Sequence, residues 1–173
     1  MPESKPQAPE PWLRGTHTEV PAVARGVIHA LELAQEDLHR WCASISEEQL
    51  HAAPAGLASL AFQLRHIAGS VDRLLTYAEG TPLSEAQMNS LKLEAGPTGT
   101  TKGILAELDA AISNACQRVR ALAEQDYSAS RTVGRMQLPT TLGGLLVHIA
   151  DHTQRHVGQV ITTAKLVSAP KAF

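Results

Sequence analysis

The segment His148-Ile149-Ala150-Asp151-His152-Thr153-Gln154-Arg155-His156-Val157-Gly158-Gln159 carries a histidine at every fourth position. Around it Leu142, Leu145, Ile149, Val160 and Val167 keep the three- and four-residue spacing of one helix face. At about 100° per residue His156 falls within that apolar stripe, His152 runs close beside it and His148 lies at its margin. The segment predicts a long amphipathic helix, capped by Thr140 and reaching about Val167, with two imidazoles facing inward. Two imidazoles one turn apart are what a helix offers to a single tetrahedral ion. Core histidines held by hydrogen bonds produce the same pattern, so the pair alone leaves both readings open.

Upstream, three more segments repeat the helical period. Val20, Ala24, Val27, Leu31, Ala34, Leu38, Trp41 and Ile45 mark a helix from Glu19 to Ser44. Leu60, Leu64, Ile67, Val71, Leu74 and Ala78 mark a second, capped by Ser59 and ended by Gly80-Thr81-Pro82. Leu105, Leu108, Ile112, Ala115, Val119 and Leu122 mark a third, from Lys102 to about Gln125. Ser46 with Gln49, and Ser84 with Gln87, resemble capping boxes and predict short helical pieces in the connections. The connection from Gly80 to Thr101 is the longest and is expected to cross the bundle. Asp126 to Pro139 reads as a loop or a short extended piece, and no strong strand appears. Four amphipathic helices bury their stripes against each other, which predicts one all-α four-helix bundle over 19–168, with tails at 1–18 and 169–173.

Composition narrows the function. The chain has 173 residues and a formal net charge of −2 with both signs interspersed, which predicts no nucleic-acid or anionic-membrane partner. Pro2, Pro6, Pro9 and Pro11 replace the apolar core of a signal peptide, and no apolar run is long enough to span a membrane. Cys42 and Cys116 form no metal or redox spacing, so a cytoplasmic location is the expectation. H-E-x-x-H, G-x-S-x-G, a phosphate loop and a dinucleotide fingerprint are all missing from the sequence.

Eight histidines are present, and their faces differ. His66 sits beside the apolar stripe of the second helix, near Phe62, Ser70, Arg73 and Tyr77, and reaches the interior if that edge turns inward. His17, His29, His39 and His51 lie on flanks or in connections and read as solvated or half-buried surface. Glu36-x-x-His39 has the form of half a di-iron motif, but the second pair is missing.

The segment 148–159 resembles the H-x3-H-x3-H-x-G-Q signature of the DinB-like, YfiT-like family, and Leu64-Arg65-His66-Ile67 is similar to that family's helix-two element. The resemblance implies an up-up-down-down bundle, commonly a homodimer, with a divalent metal held by His66, His152 and His156 and with His148 outside the ligand set. Zinc or nickel are the foremost candidates for the ion, although iron and copper also accept imidazoles. Members include metal-dependent hydrolases and S-transferases that join small thiols such as bacillithiol or mycothiol to electrophiles. An ion on three neutral imidazoles keeps its charge and an open position, and so activates a thiol or water. Gln159, Arg155, Arg73 and Tyr77 lie near the same helix edges, with Arg155 and Arg73 expected at the solvated surface. Two other functions remain open at this point: a metal-binding stress protein without chemistry, and a structural dimer whose histidines only hydrogen-bond.

Overall fold

The computed structural model describes residues 8–169. The first part of the expected N-terminal tail, 1–7, and the end of the C-terminal tail, 170–173, lie outside the described residues. In chain order the helices are α1 (Ala22–Cys42), α2 (Glu47–His51), α3 (Leu60–Ala78), α4 (Glu85–Leu93), α5 (Thr101–Leu122) and α6 (Leu142–Ser168). The helix-forming periods are realised as burial. Ala24, Val27, Leu31, Ala34 and Leu38 of α1 and Leu105, Leu108, Ile112, Ala115, Val119 and Leu122 of α5 all point into one core. Ser59 and Thr100 cap α3 and α5 through their hydroxyls, and both expected capping boxes form, Ser46 with Gln49 and Ser84 with Gln87.

α1, α3, α5 and α6 form the bundle, with α1 and α3 each packed against both α5 and α6. Hydrogen bonds at the two ends fix the helix directions. At one end Thr101, opening α5, donates to the carbonyl of Ile45 just beyond α1, and Gln63, early in α3, donates to Thr163, late in α6. At the other end Arg120 of α5 reaches Glu19 ahead of α1, and Arg131, ahead of α6, donates to the carbonyl of Ala78 that ends α3. α1 and α6 therefore run one way, and α3 and α5 the other. Only the connection 79–100 crosses the length of the bundle, as its length suggested. The segment 43–59 stays at one end, where Gln49 of α2 donates to the carbonyl of Val167. It reverses the chain, so the directions read one, opposite, opposite, one along the sequence, in place of the two-and-two order the resemblance implied.

Two features differ from the reading of the sequence. The stretch before α6 forms a β-hairpin, β1 (Ser130–Val133) against β2 (Leu138–Thr141), antiparallel with Ser130 opposite Thr141 and Val133 opposite Leu138. Its strands are too short and too exposed for alternation to show in the sequence. Because Thr140 pairs with Arg131 in this hairpin, the cap of α6 is Thr141, whose hydroxyl accepts from the Gly144 amide. Residues 8–18, expected as tail, lie on the bundle: Pro11 is buried, and Arg14 forms a two-pronged ion pair with Glu36 of α1. Among the described residues no helix is long and apolar enough to cross a membrane.

Candidate metal centre

Antiparallel packing of α3 on α6 sets the site. With Gln63 beside Thr163, the next turn of α3 brings His66 opposite His152 and His156, and one ring nitrogen from each of the three lies within 4.8 Å of the others. The ring centroids are 4.6 Å apart for His66 and His156, 4.4 Å for His152 and His156, and 5.6 Å for His66 and His152. The imidazoles flank the core and do not point into it. The centre of the buried stripe of α6 runs through Leu145, Ile149, Thr153, Val157 and Val160, and all three rings are half-buried at the rim between α3 and α6. The difference follows from Thr153, which reads as polar in the sequence yet is fully buried, and so turns the stripe away from His156.

Hydrogen bonding separates a ligand set from a core cluster. The buried Nε2 of His152 has no hydrogen-bond partner among the described residues. A core histidine at that position would leave a polar atom unsatisfied at a cost of about 1–3 kcal/mol, so a ligand for it is the natural account. His156 presents Nδ1 to the amide oxygen of Gln159 at 2.7 Å. An amide oxygen only accepts, so the proton sits on Nδ1 and Nε2 keeps its lone pair. Burial pushes the His152 pKa down to about 4, helped by the charges of His156, His66, His148 and Arg155. Burial also lowers His156, with His66 adding to the effect. Both rings are therefore neutral near pH 7, the state in which imidazole binds a metal.

A second group, His17, His29 and Glu32, is as compact as the first, but its hydrogen bonds exclude it. The Arg120 guanidinium, which can only donate, lies 2.6 Å from His17 Nδ1, so the proton sits on Nε2 and is donated to Glu32 Oε1 at 2.7 Å. His29, expected near the surface, is buried with Nε2 against the Thr16 hydroxyl. No lone pair on His17 remains for an ion, and the group is a clasp fastening residues 16–19 to α1 and α5. His17→Ala is accordingly expected to leave the ion content of the purified chain unchanged while costing about 1 kcal/mol in urea unfolding. His39 and Glu36 also part company: His39 bonds Asp109 of α5, and Glu36 bonds Arg14. His51 is bound to the carbonyl of Gly99.

The remaining expected site residues divide. His148 is exposed, 3.8 Å from Asp151, and Arg155 turns outward to the same carboxylate. Arg73, expected at the surface, is only 9% exposed and forms a 2.6 Å ion pair with Glu94. Glu94 escaped the sequence reading altogether. It lies in the crossing connection, in no motif and on no periodic face, and only the fold brings it to His66. Tyr77 is half-buried and, with Ser70 and Arg73, lines a cleft of about 680 Å³ that opens beside His66 and His152. Leu83, Met88 and Leu91 supply its apolar wall, and Arg135 of the hairpin turn stands at its edge.

Comparison with known proteins agrees with this architecture. A model of the DinB superfamily matches residues 30–160. The chain belongs to the DinB superfamily. Among solved structures it is similar to YfiT from Bacillus subtilis, described as a probable metal-dependent hydrolase with an unusual four-helix bundle topology, at 20% identity and a TM-score of 0.61. That similarity covers 82% of this chain and 85% of the other. A search of curated proteins returned no match. The superfamily match spans α3, α5 and all of α6 as far as Val160, and so includes all three clustered histidines.

Proposed function

We propose that this protein binds one divalent ion through His66, His152 and His156 and uses it as an enzyme acting on a small substrate held in the adjoining cleft. The observation that carries the reading is the buried Nε2 of His152, without a hydrogen-bond partner among the described residues, in a cluster of three neutral or hydrogen-bonded imidazoles. Three nitrogen donors at one site suit zinc or nickel, and a trio of protein ligands is the composition of catalytic more than of structural zinc sites. Bound there, the ion supplies Lewis acidity that lowers the pKa of a water or of a small thiol to near neutrality. The chain's own residues do the rest. Gln159 holds the His156 ring, the apolar wall of Leu83, Met88 and Leu91 keeps bulk water from one side of the cleft, and Tyr77 faces the same space. Among the described residues no Asp or Glu lines the cleft, and Arg135 favours a substrate bearing negative charge.

Hydrolysis and thiol transfer are separated by a single comparison. The chain, reconstituted with zinc or nickel, is assayed against activated esters and amides, and against electrophiles in the presence of low-molecular-weight thiols. Turnover that appears with the ion, disappears on chelation and is missing in His156→Ala is the expected result. Turnover that survives complete removal of the ion would eliminate this mechanism.

A further inference from the structure

Glu94 is the least expected residue near the site. It comes from the end of α4 in the crossing connection, is 4% exposed, and divides its carboxylate between two partners. Oε1 lies 2.6 Å from Arg73 Nη1 and Oε2 lies 2.9 Å from His66 Nδ1. Gly69, one turn beyond His66, makes the space: a Cβ on that residue would come within 2.5 Å of Glu94 Oε1 and 2.7 Å of Arg73 Nη1. Three residues of α3, His66, Gly69 and Arg73, are thus shaped around one carboxylate from a distant part of the chain.

The geometry points to Glu94 as the positioning residue of the metal centre, holding His66 as its Nδ1–H tautomer so that Nε2 faces the other two imidazoles. A carboxylate only accepts hydrogen bonds, so the neutral ring facing it carries its proton on Nδ1. A ring turned by half a rotation would put the carbon Cδ2 where Nδ1 now meets Glu94 and lose the bond. Oriented in this way, His66 is also made a better donor, because an acceptor on the far nitrogen raises the basicity of the near one. Arg73 does the corresponding work for Glu94: its Nη1 holds Oε1 while His66 takes Oε2, and its charge balances the carboxylate in a place with little water. The competing role for Glu94 is purely architectural, an anchor that ties the crossing connection to α3.

The inference rests on the metal reading for its purpose but has a test that does not. In the ion-free, 15N-labelled wild-type chain, the His66 ring, identified by its loss in His66→Gln, is expected to show a proton on Nδ1. A ring protonated on Nε2 overturns the proposal. In Glu94→Gln, which keeps the size of the side chain, zinc affinity measured by chelator competition on the folded protein is expected to fall about 10- to 100-fold, with a changed visible spectrum of the cobalt-substituted site. Affinity and spectrum equal to wild type would leave Glu94 an anchor only and also overturn the proposal. A wild-type chain that binds no divalent ion overturns the metal reading instead, and the tautomer of His66 then still decides whether Glu94 fixes the ring.

Discussion

His152→Ala and His156→Ala, purified without a histidine tag, are expected to lose the divalent ion that the wild type carries at about one per chain, while folding as ion-free proteins about as stable as the ion-free wild type. The second half of that expectation makes the experiment decisive. A histidine kept in the core for its hydrogen bonds stabilises through them, and truncating it leaves a partner unsatisfied at about 1–3 kcal/mol. His152 Nε2 has no such partner among the described residues, and its ring is already half-buried beside two others whose charges disfavour its own. Removing it relieves an unsatisfied atom, which offsets part of the lost packing. The ion should then show its own contribution: at a thousandfold excess over its dissociation constant it stabilises the wild type by about 4 kcal/mol, and this gain should vanish in both variants. Elemental analysis and thermal unfolding with and without zinc measure both quantities. No ion in the wild type, together with a large loss of stability in the ion-free His152→Ala chain, would make the three histidines a packing cluster.

Arg73→Ala is expected to be the most damaging single substitution at the site, costing about 3–5 kcal/mol in urea unfolding, because it leaves the Glu94 carboxylate buried beside His66 without its cation. Replacing both partners, Arg73→Met with Glu94→Met, removes both charges and fills the space with apolar atoms, so most of that stability should return. Metal affinity should not return with it, since no acceptor then faces His66 Nδ1. Stability and affinity thus separate between the single and the double variant. A double variant that regains wild-type zinc affinity would show that the pair serves the fold alone.

The four long helices were legible in the sequence because their apolar residues recur over 19 to 27 positions, long enough for the helical period to stand out. The hairpin was not, because four residues per strand with exposed side chains carry no period, and its pairing took over Thr140 and moved the cap of α6 by one residue. His152 and His156 were legible as a pair because a helix keeps residues four apart on one face whatever surrounds it. The face itself was misjudged slightly, since burial of Thr153 is a property of the neighbouring helices and leaves no trace in hydropathy.

His66 and Glu94 mark the limit most clearly. On α3 alone, His66 is one polar residue at the edge of a stripe. It joins the site because α3 runs antiparallel to α6 in a register where Gln63 meets Thr163. Arg73 reads as surface because arginines usually are, and it is buried only because a carboxylate from 21 residues further along the chain comes down upon it. Periodicity acts over a few residues and is written in the sequence, so the helices, their caps and the spacing of the α6 histidines were determined there. Which edges face each other, which charges meet in the interior and which ring nitrogen is left free depend on contacts between distant segments, and these the tertiary structure alone decided.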